Sequence, residues 1–451
     1  MASVYLKKWL MLAIPGFLQL HWERLAASPL GYRLARGAFW SLGGAMISRS
    51  MGLVSSILVA RMLGKIGFGE LGMIQSTVGM LGTFAGFGLG LTTTKFVAEF
   101  KIDNPARAGR IIGLSSLVSW MTGGVMALLL LALAPWLATH TLAAPDLGGL
   151  LRVGSILLLL GAINGAQIGT LAGFEAFKSI ARINLISGFA SFPLMVGGAW
   201  WWGVKGAVCG LVISQAFNCL ANFLGVRAEV ERARVPIAYA GVSKDLAILW
   251  HFSLPAVGSG LFVGPVYWLC SSLLVNGPGG YAQMGLFNAA NQWFGALLFL
   301  PGVLGQAALP VLAERFGQKD HINSRKILRI YLILNTLIVA PIVLFGSLAS
   351  PWIMASYGPG FREAWPTLVV VLLTAGLIAV QTPVGQIIAA SGRMWLGTAM
   401  NAGWAICFIA LTWATIHWGA FGLAGARCVA YLVHATWTFT FSAYLLKYKR
   451  N

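Results

Sequence analysis

Apolar runs of helix length follow one another along this chain, separated by short polar gaps. Twelve runs, at about 37–60, 68–92, 110–138, 150–172, 180–202, 203–226, 248–273, 282–309, 328–349, 364–390, 394–416 and 419–445, predict transmembrane helices. About 20 helical residues rise roughly 30 Å, the thickness of a bilayer's hydrocarbon core, where a helix satisfies its own backbone. An even number of runs places both termini on one side. In the first run Gly37, Ser41, Gly44, Ser48, Gly52 and Ser55 recur at steps of four and three, so one face is small and hydroxylic, with Arg49 beside it. A guanidinium near the bilayer centre costs at least ~2.5 kcal/mol, so Arg49 should point inward to a partner or to water.

Composition agrees with the pattern. Hydrophobic residues make up 58% of the 451, charged residues 10%, and mean hydropathy is +0.79, which places the chain among polytopic membrane proteins. The formal net charge of +19 does not point to nucleic acid, because the basic residues sit in the gaps between apolar runs and form no face of a soluble domain. Of the 31 lysines and arginines, 24 fall on the side of the N-terminus and five on the other, with Arg49 and Arg427 inside the membrane. The positive-inside rule therefore makes both termini cytoplasmic. The five cysteines all lie within apolar runs without CxxC spacing, so they read as small buried hydrophobes. Lys7 and Lys8 precede a short apolar run from Trp9 to Leu20, interrupted by Pro15, Gly16 and Gln19 and followed by no clear cleavage site. An uncleaved interfacial helix fits it better than a signal peptide.

The runs form two similar sets. GFGELGM at 67–73 resembles GYAQMGL at 280–286 at an offset of 213; Trp202-Gly203-x-x-Gly206 matches Trp418-Gly419-x-x-Gly422 at 216; Asn184 matches Asn401 at 217. Duplication of a six-helix unit accounts for this. Two copies of the same orientation imply a pseudo-twofold axis along the membrane normal, with substrate in the cleft between bundles. The expected division is an N-terminal segment, 1–36; a first bundle, 37–226; a cytoplasmic linker, 227–247; a second bundle, 248–446; and a tail, 447–451.

GAFWSLGGAMISR, ARMLGKIGFGELGMIQS, GLGLTTTKFVAEF, AGFEAFKSIARINLISG and YAQMGLFNAANQW, in this order and spacing, resemble the polysaccharide-biosynthesis (Wzx-type) flippases. These belong to the superfamily that also contains multidrug extruders and peptidoglycan-precursor flippases. The resemblance runs from about Arg36 to Leu446. It implies an all-α polytopic membrane protein of twelve helices in two six-helix bundles, a V-shaped cavity and alternating access. It also implies outward movement, across the bacterial cytoplasmic membrane, of an oligosaccharide joined through pyrophosphate to a polyprenyl lipid.

The inventory of charges bears on cargo. All twelve acidic residues fall in gaps or at run ends, Glu70 coming nearest the interior, so the membrane holds Arg49 and Arg427 with no central carboxylate. A cation exporter needs the opposite. An arginine fork binds phosphate oxygens bidentately and suits a pyrophosphate; the alternative for Arg49 is snorkelling or bonding a neighbouring helix's carbonyls. Arg427, Tyr431, His434 and Thr438 share one face of the last run, as cargo contacts or as an interhelical stripe. Asn288, Asn291 and Gln292 share a face of the eighth run, and Asn164 and Gln167 lie within a turn of each other on the fourth; either sugar hydroxyls or a neighbouring helix can use these amides. Most of the 18 tryptophans are expected in interfacial belts. Gly82, Gly86 and Gly90 make consecutive small-xxx-small steps, for close packing or for a hinge.

The sequence therefore reads as a flippase that is not an enzyme and uses no cofactor. Its expected partners are a lipid-linked oligosaccharide with an anionic headgroup, membrane lipids and other polysaccharide assembly proteins. No GxxxxGK[ST] is present, so the energy comes from a gradient or from consumption of product. The competing readings are a cation or drug antiporter, a membrane enzyme using His434, and a scaffold.

Overall fold

The computed structural model describes residues 29–253, 262–317, 321–390 and 394–448. The interfacial helix expected at 9–20, the middle of the seventh run and the last residues of the tail lie outside them. The described residues are helical almost throughout: α1 (Pro29–Gly86), α2 (Leu89–Phe100), α3 (Pro105–Trp136), α4 (Leu147–Gly154), α5 (Ile156–Gly173), α6 (Phe177–Ala233), α7 (Val263–Val275), α8 (Gly280–Gly317), α9 (His321–Leu348), α10 (Ser350–Ser356), α11 (Trp365–Ala390), α12 (Met394–Thr415) and α13 (Gly419–Tyr448). Where described, each predicted run is helical over most of its length; the runs at 68–92 and 150–172 are interrupted at Phe87–Gly88 and at Ser155. Among the described residues seven stretches are long and apolar enough to cross a membrane. Three of these, Gly43–Phe100, Phe177–Ala233 and Trp395–Phe441, have 58, 57 and 47 residues, about two bilayer crossings each. Helical geometry breaks inside them at Gly64, at Trp202–Gly203 and at Gly419. In α6 the break makes a tight hairpin: a Cβ on Gly206 would collide with the Gly198 carbonyl, and one on Gly210 would meet the Leu194 carbonyl at 2.5 Å.

Two helix ends differ from expectation. α6 continues to Ala233, past the apolar run that stops near 226, because Arg227–Glu231 and Glu229–Arg232 pair at i,i+4 and i,i+3, both at 2.9 Å. α1 is already helical at Pro29, the first described residue, eight residues before the apolar run at 37.

The backbone carries the internal repeat. Gly203 (φ 59°, ψ −136°) and Gly419 (φ 60°, ψ −134°) have the same left-handed conformation and lie 216 residues apart. At the contact between halves, a Cβ on Gly69 would collide with the carbonyl of Tyr281, and a Cβ on Gly285 with the carbonyl of Lys65. These are the same contact made reciprocally, again 216 residues apart, as a twofold axis requires. The offset of 213 expected from GFGELGM and GYAQMGL is therefore corrected to 216: Gly285 is the counterpart of Gly69, not of Gly72. The motif misled because each copy has several glycines within one helical turn.

One core joins the two halves, with Val59, Phe68 and Met73 in the same buried cluster as Phe287, Leu368 and Phe408. Phe68, Tyr357 and Phe361 pack ring on ring beside the Gly69–Gly285 crossing, and Trp293 Nε1 donates to the Tyr357 hydroxyl at 3.1 Å. This contact seals the interface at the end of the molecule that bears Gly64. At the opposite end of the first half a second cluster gathers Val97, Ala108, Ile112, Leu171 and Val230 with Val235 of the linker. There the linker is strapped to α3. Gly109 and Gly113 leave room for the carbonyls of Pro236 and Ala238, and buried Asp245 accepts from Arg107 Nε and Arg110 Nε, both at 3.1 Å.

Candidate functional site

Where the halves face each other below the seal, two polar cavities adjoin. One, of about 320 Å³, is lined by Arg49 and Ser56 on the first arm of α1, Gln75 on its second arm, and Asn291 and Gln292 on α8. The other, of about 330 Å³, lies between Gln75 and Ser76 of α1, Tyr267 of α7, Asn288, Asn291 and Gln292 of α8, and Arg427 of α13. Gln75, Asn291 and Gln292 line both. Among the described residues neither cavity has an aspartate or glutamate in its wall.

Arg49 is exposed to the space between the halves. Its Nη1 donates to the Gly295 carbonyl of α8 at 3.2 Å, and its guanidinium lies over the Phe299 ring, 4.6 Å from the centroid. It also lines a third cavity, of about 630 Å³, whose other walls are largely apolar: Met46 and Leu53 of α1, Trp293 and Phe299 of α8, Ile342 and Phe345 of α9. Met46, Ile342 and Phe345 in its wall are exposed. Arg49 thus stands where a polar compartment meets an apolar one.

Arg427 has a different setting. It is 1% exposed, the most enclosed charged side chain among the described residues. Nη1 donates to Asn291 Oδ1 at 2.7 Å. The guanidinium lies 4.2 Å from the centroid of Phe294, with Phe287 and Tyr267 at 5.4 and 5.7 Å. Its Nε and Nη2 have no hydrogen-bond partner.

The candidate residues divide between cleft and helix packing. Arg49, Arg427, Asn288, Asn291 and Gln292 come together in the cavities; Asn288 also donates to the Phe68 carbonyl across the halves, at 3.3 Å. The polar face of α13 is split. Tyr431 stays near Arg427 but packs, partly buried, against Trp404, its hydroxyl 3.5 Å from that of Tyr267. His434 and Thr438 turn instead to Gln381 of α11 inside the second half, where Gln381 Nε2 donates to His434 Nδ1 and, at 2.9 Å, to Thr438 Oγ1. Asn164 and Gln167 face α6, not the cleft: Asn222 Nδ2 donates to Asn164 Oδ1 at 2.8 Å, and Cys219 Sγ to Gln167 Oε1 at 3.6 Å. For His434, Asn164 and Gln167 the placement is that of interhelical bonds, because the polar neighbour within reach belongs to the same half. The pattern along one helix does not reveal which neighbour that is.

The three glycines of the second run also separate. Gly90 packs closely on α5, where a Cβ on Gly169 would collide with the Gly90 carbonyl, while Gly86 has open space and Gly82 only an ordinary contact. Between α1 and α2 the helix breaks at Phe87 (φ 43°) and Gly88 (φ 63°), and Thr122 of α3 donates to the freed Ala85 carbonyl at 2.7 Å. Gln75, Ser76, Tyr267 and Phe294 line the cavities without having been singled out from sequence. Gln75 was the most legible of them, as a lone amide in an apolar run.

Residues 34–316 match the family described as polysaccharide biosynthesis protein. The EPS I polysaccharide export inner membrane protein EpsE of Ralstonia solanacearum is 25% identical over 427 residues, 91% of this chain and 94% of its own. The lipid III flippase of Escherichia coli strain K12 is 22% identical over 298 residues, 64% of this chain and 69% of its own. Among solved structures, an inward-facing multidrug resistance MATE family transporter of the MOP superfamily superposes with a TM-score of 0.74 at 15% identity, covering 91% of this chain and 98% of its own. That likeness is one of fold, and it agrees with an all-α, multi-pass membrane protein built from two bundles.

Proposed function

The chain belongs to the polysaccharide biosynthesis protein family, and from that premise we propose that it flips a polyprenyl-pyrophosphate-linked oligosaccharide from the cytoplasmic to the outer leaflet by alternating access. Sugars cannot cross hydrocarbon unaided, because each hydroxyl would lose its bonds to water. The observation that carries the reading is the position of Arg49, which lines both a polar cavity between the halves and an apolar cavity with exposed Met46, Ile342 and Phe345 in its wall; the reading takes the second to open to the lipid. A lipid-linked sugar has this partition: glycan in the polar space, prenyl chain in the apolar one, pyrophosphate at the junction. The guanidinium supplies the phosphate oxygens with donors in place of water. Amides of Gln75, Asn291 and Gln292 offer donors and acceptors to sugar hydroxyls.

The reading assigns the cytoplasm to the end opposite Gly64, where Lys95, Lys101, Arg107 and Arg110 gather. The state described, sealed at the Gly64 end by the Gly69–Gly285 crossing and the Phe68, Tyr357 and Phe361 rings, is then the one that loads. Absence of any carboxylate from the walls of the two polar cavities, among the described residues, favours an anionic cargo over an organic cation.

The test is translocation of a fluorescent polyprenyl-pyrophosphate oligosaccharide in proteoliposomes, comparing wild type, Arg49→Ala and Arg49→Lys at matched protein content. Loss with alanine and partial activity with lysine is expected. Equal rates for all three would remove Arg49 from the path, and no translocation by wild type across a range of glycans would overturn the reading.

A further inference from the structure

Resting on the orientation given above, in which α3 enters the membrane from the cytoplasm, we infer that the linker and the inner end of α3 bind an anionic phospholipid of the inner leaflet, such as phosphatidylglycerol. The place is apart from the cleft and its cargo. Between Arg234 and Lys244 the linker reads VPIAYAGVS, nine residues without a charge. Val235 is buried in the inner cluster of the first half, but Ile237 and Tyr239 are exposed, as are Leu246 and Trp250 just beyond Asp245. Apolar and aromatic side chains beside basic ones are the composition of a segment seated in the membrane interface.

Charge at this place is out of balance. Arg107 and Arg110 share buried Asp245, and each bonds it through Nε, at 3.1 Å. Among the described residues none of the four Nη nitrogens of the pair has a hydrogen-bond partner, and the exposed carboxylates of Glu99 and Asp103 pair with neither arginine. Two guanidiniums against one carboxylate leave one positive charge, with donors to spare. A phosphodiester carries one negative charge and takes such donors on its free oxygens. Lys244, exposed on the same short turn as Asp245, adds a further cation. Basic residues at a cytoplasmic end serve topology wherever they point. Here the shared carboxylate holds two of them in one place, and the Phe100 ring supports the Arg107 guanidinium, 4.2 Å from its centroid.

The order of groups along α3 follows a phospholipid from head to tail. Gly113 is three residues past Arg110, about 4.5 Å further along the helix. The linker covers it: a Cβ there would collide with the Ala238 carbonyl and meet the Tyr239 ring at 3.5 Å. Leu117 and Met121 continue that side of α3 at steps of four, and both are exposed. A phosphate at the arginines, a glycerol beside Tyr239 and an acyl chain along Leu117 and Met121 use each group in turn. A free phosphate would engage the first alone. The ammonium of a zwitterionic headgroup would be repelled by the same cations, so the occupant is a lipid of net negative charge.

The experiment is native mass spectrometry of the full chain, purified in detergent and titrated with dioleoyl phosphatidylglycerol or dioleoyl phosphatidylcholine. The wild type should take up its first phosphatidylglycerol roughly tenfold more tightly than its first phosphatidylcholine, the step that one or two basic residues supply at a lipid surface. Lys244→Gln, outside the ion pairs of Asp245, should reduce that preference about fivefold, and Arg107→Gln combined with Arg110→Gln should remove it. If the double variant does not fold, Lys244→Glu decides, because it sets a second carboxylate beside the pair and should also remove the preference. Equal binding of the two lipids by wild type would overturn the proposal, as would an unchanged preference in Lys244→Glu. Displacement of the bound lipid by an equal concentration of glycerol 3-phosphate would overturn it too, because the arginines would then hold a soluble phosphate. Lipid uptake is read without any glycan, so it stands or falls separately from translocation.

Discussion

The two halves share a backbone and differ in what is attached to it. Gly203 and Gly419 have matching dihedral angles, and Gly69 and Gly285 make one contact reciprocally. At the same offset of 216, however, Arg49 corresponds to Pro265 and Arg427 to Leu211. The second run of the first half is broken at Phe87–Gly88, whereas α8 in the second half is one continuous helix from Gly280 to Gly317. The linker straps the first half, through Asp245. Symmetry therefore belongs to the crossings that close the cleft, and asymmetry to the charges, the helix break and the strap. The cargo proposed above has a head and a tail, and two identical charged sites would not tell them apart.

The shared part is tested most severely by Gly285→Leu and Gly69→Leu. Both should fail alike, with loss of folded protein on size-exclusion chromatography, because backbone carbonyls occupy the space a side chain needs; overpacking alone costs ~1–3 kcal/mol, and here a helix crossing must also separate. Gly124→Ala, which meets open space, should change thermal stability little. If only one of the first two variants fails, the contact is not reciprocal in function.

The unshared parts should give smaller, one-sided effects. Asp245→Asn takes the charge from a carboxylate buried between two arginines that are a quarter to two-fifths exposed. The cost is discounted for that exposure to ~1–2 kcal/mol, and it should appear as faster tryptic cleavage after Arg234. Gly88→Ala puts a side chain where φ is 63° and should cost about 1 kcal/mol. It should slow translocation more than it lowers melting temperature if the break is where the second run bends, and leave the rate unchanged if the break is passive. The smallest effect is expected of His434→Ala, ~1 kcal/mol of stability from the Gln381 bond, with translocation per folded molecule preserved. A selective loss of translocation would bring His434 back into the mechanism.

Helix positions, the duplication and the two membrane-embedded arginines were legible in the chain, each carried by a signal within one run or repeated between runs. The contents of the cleft were only partly so. Asn291 and Gln292 were recognised beside Asn164 and Gln167, which have the same chemistry on the same kind of helix, yet the first pair lines the cavities and the second faces α6. Gln75, which bridges both cavities, stood out no more than other isolated amides. The repeat register slipped by three residues where several glycines allowed more than one alignment.

The division has a physical cause. Hydropathy and charge act on each residue wherever it sits: an apolar run of this length must be a helix in lipid, and an arginine inside one must find a polar partner. Those constraints are local, so the order of residues along the chain suffices to impose them. Which neighbour a side chain meets depends on how helices far apart in sequence are rotated and crossed. That is decided by close packing at a few contacts, such as Gly69 on Tyr281 and Gly285 on Lys65. The same packing turned Arg427 toward Asn291 and Phe294 and left one edge of its guanidinium without a partner.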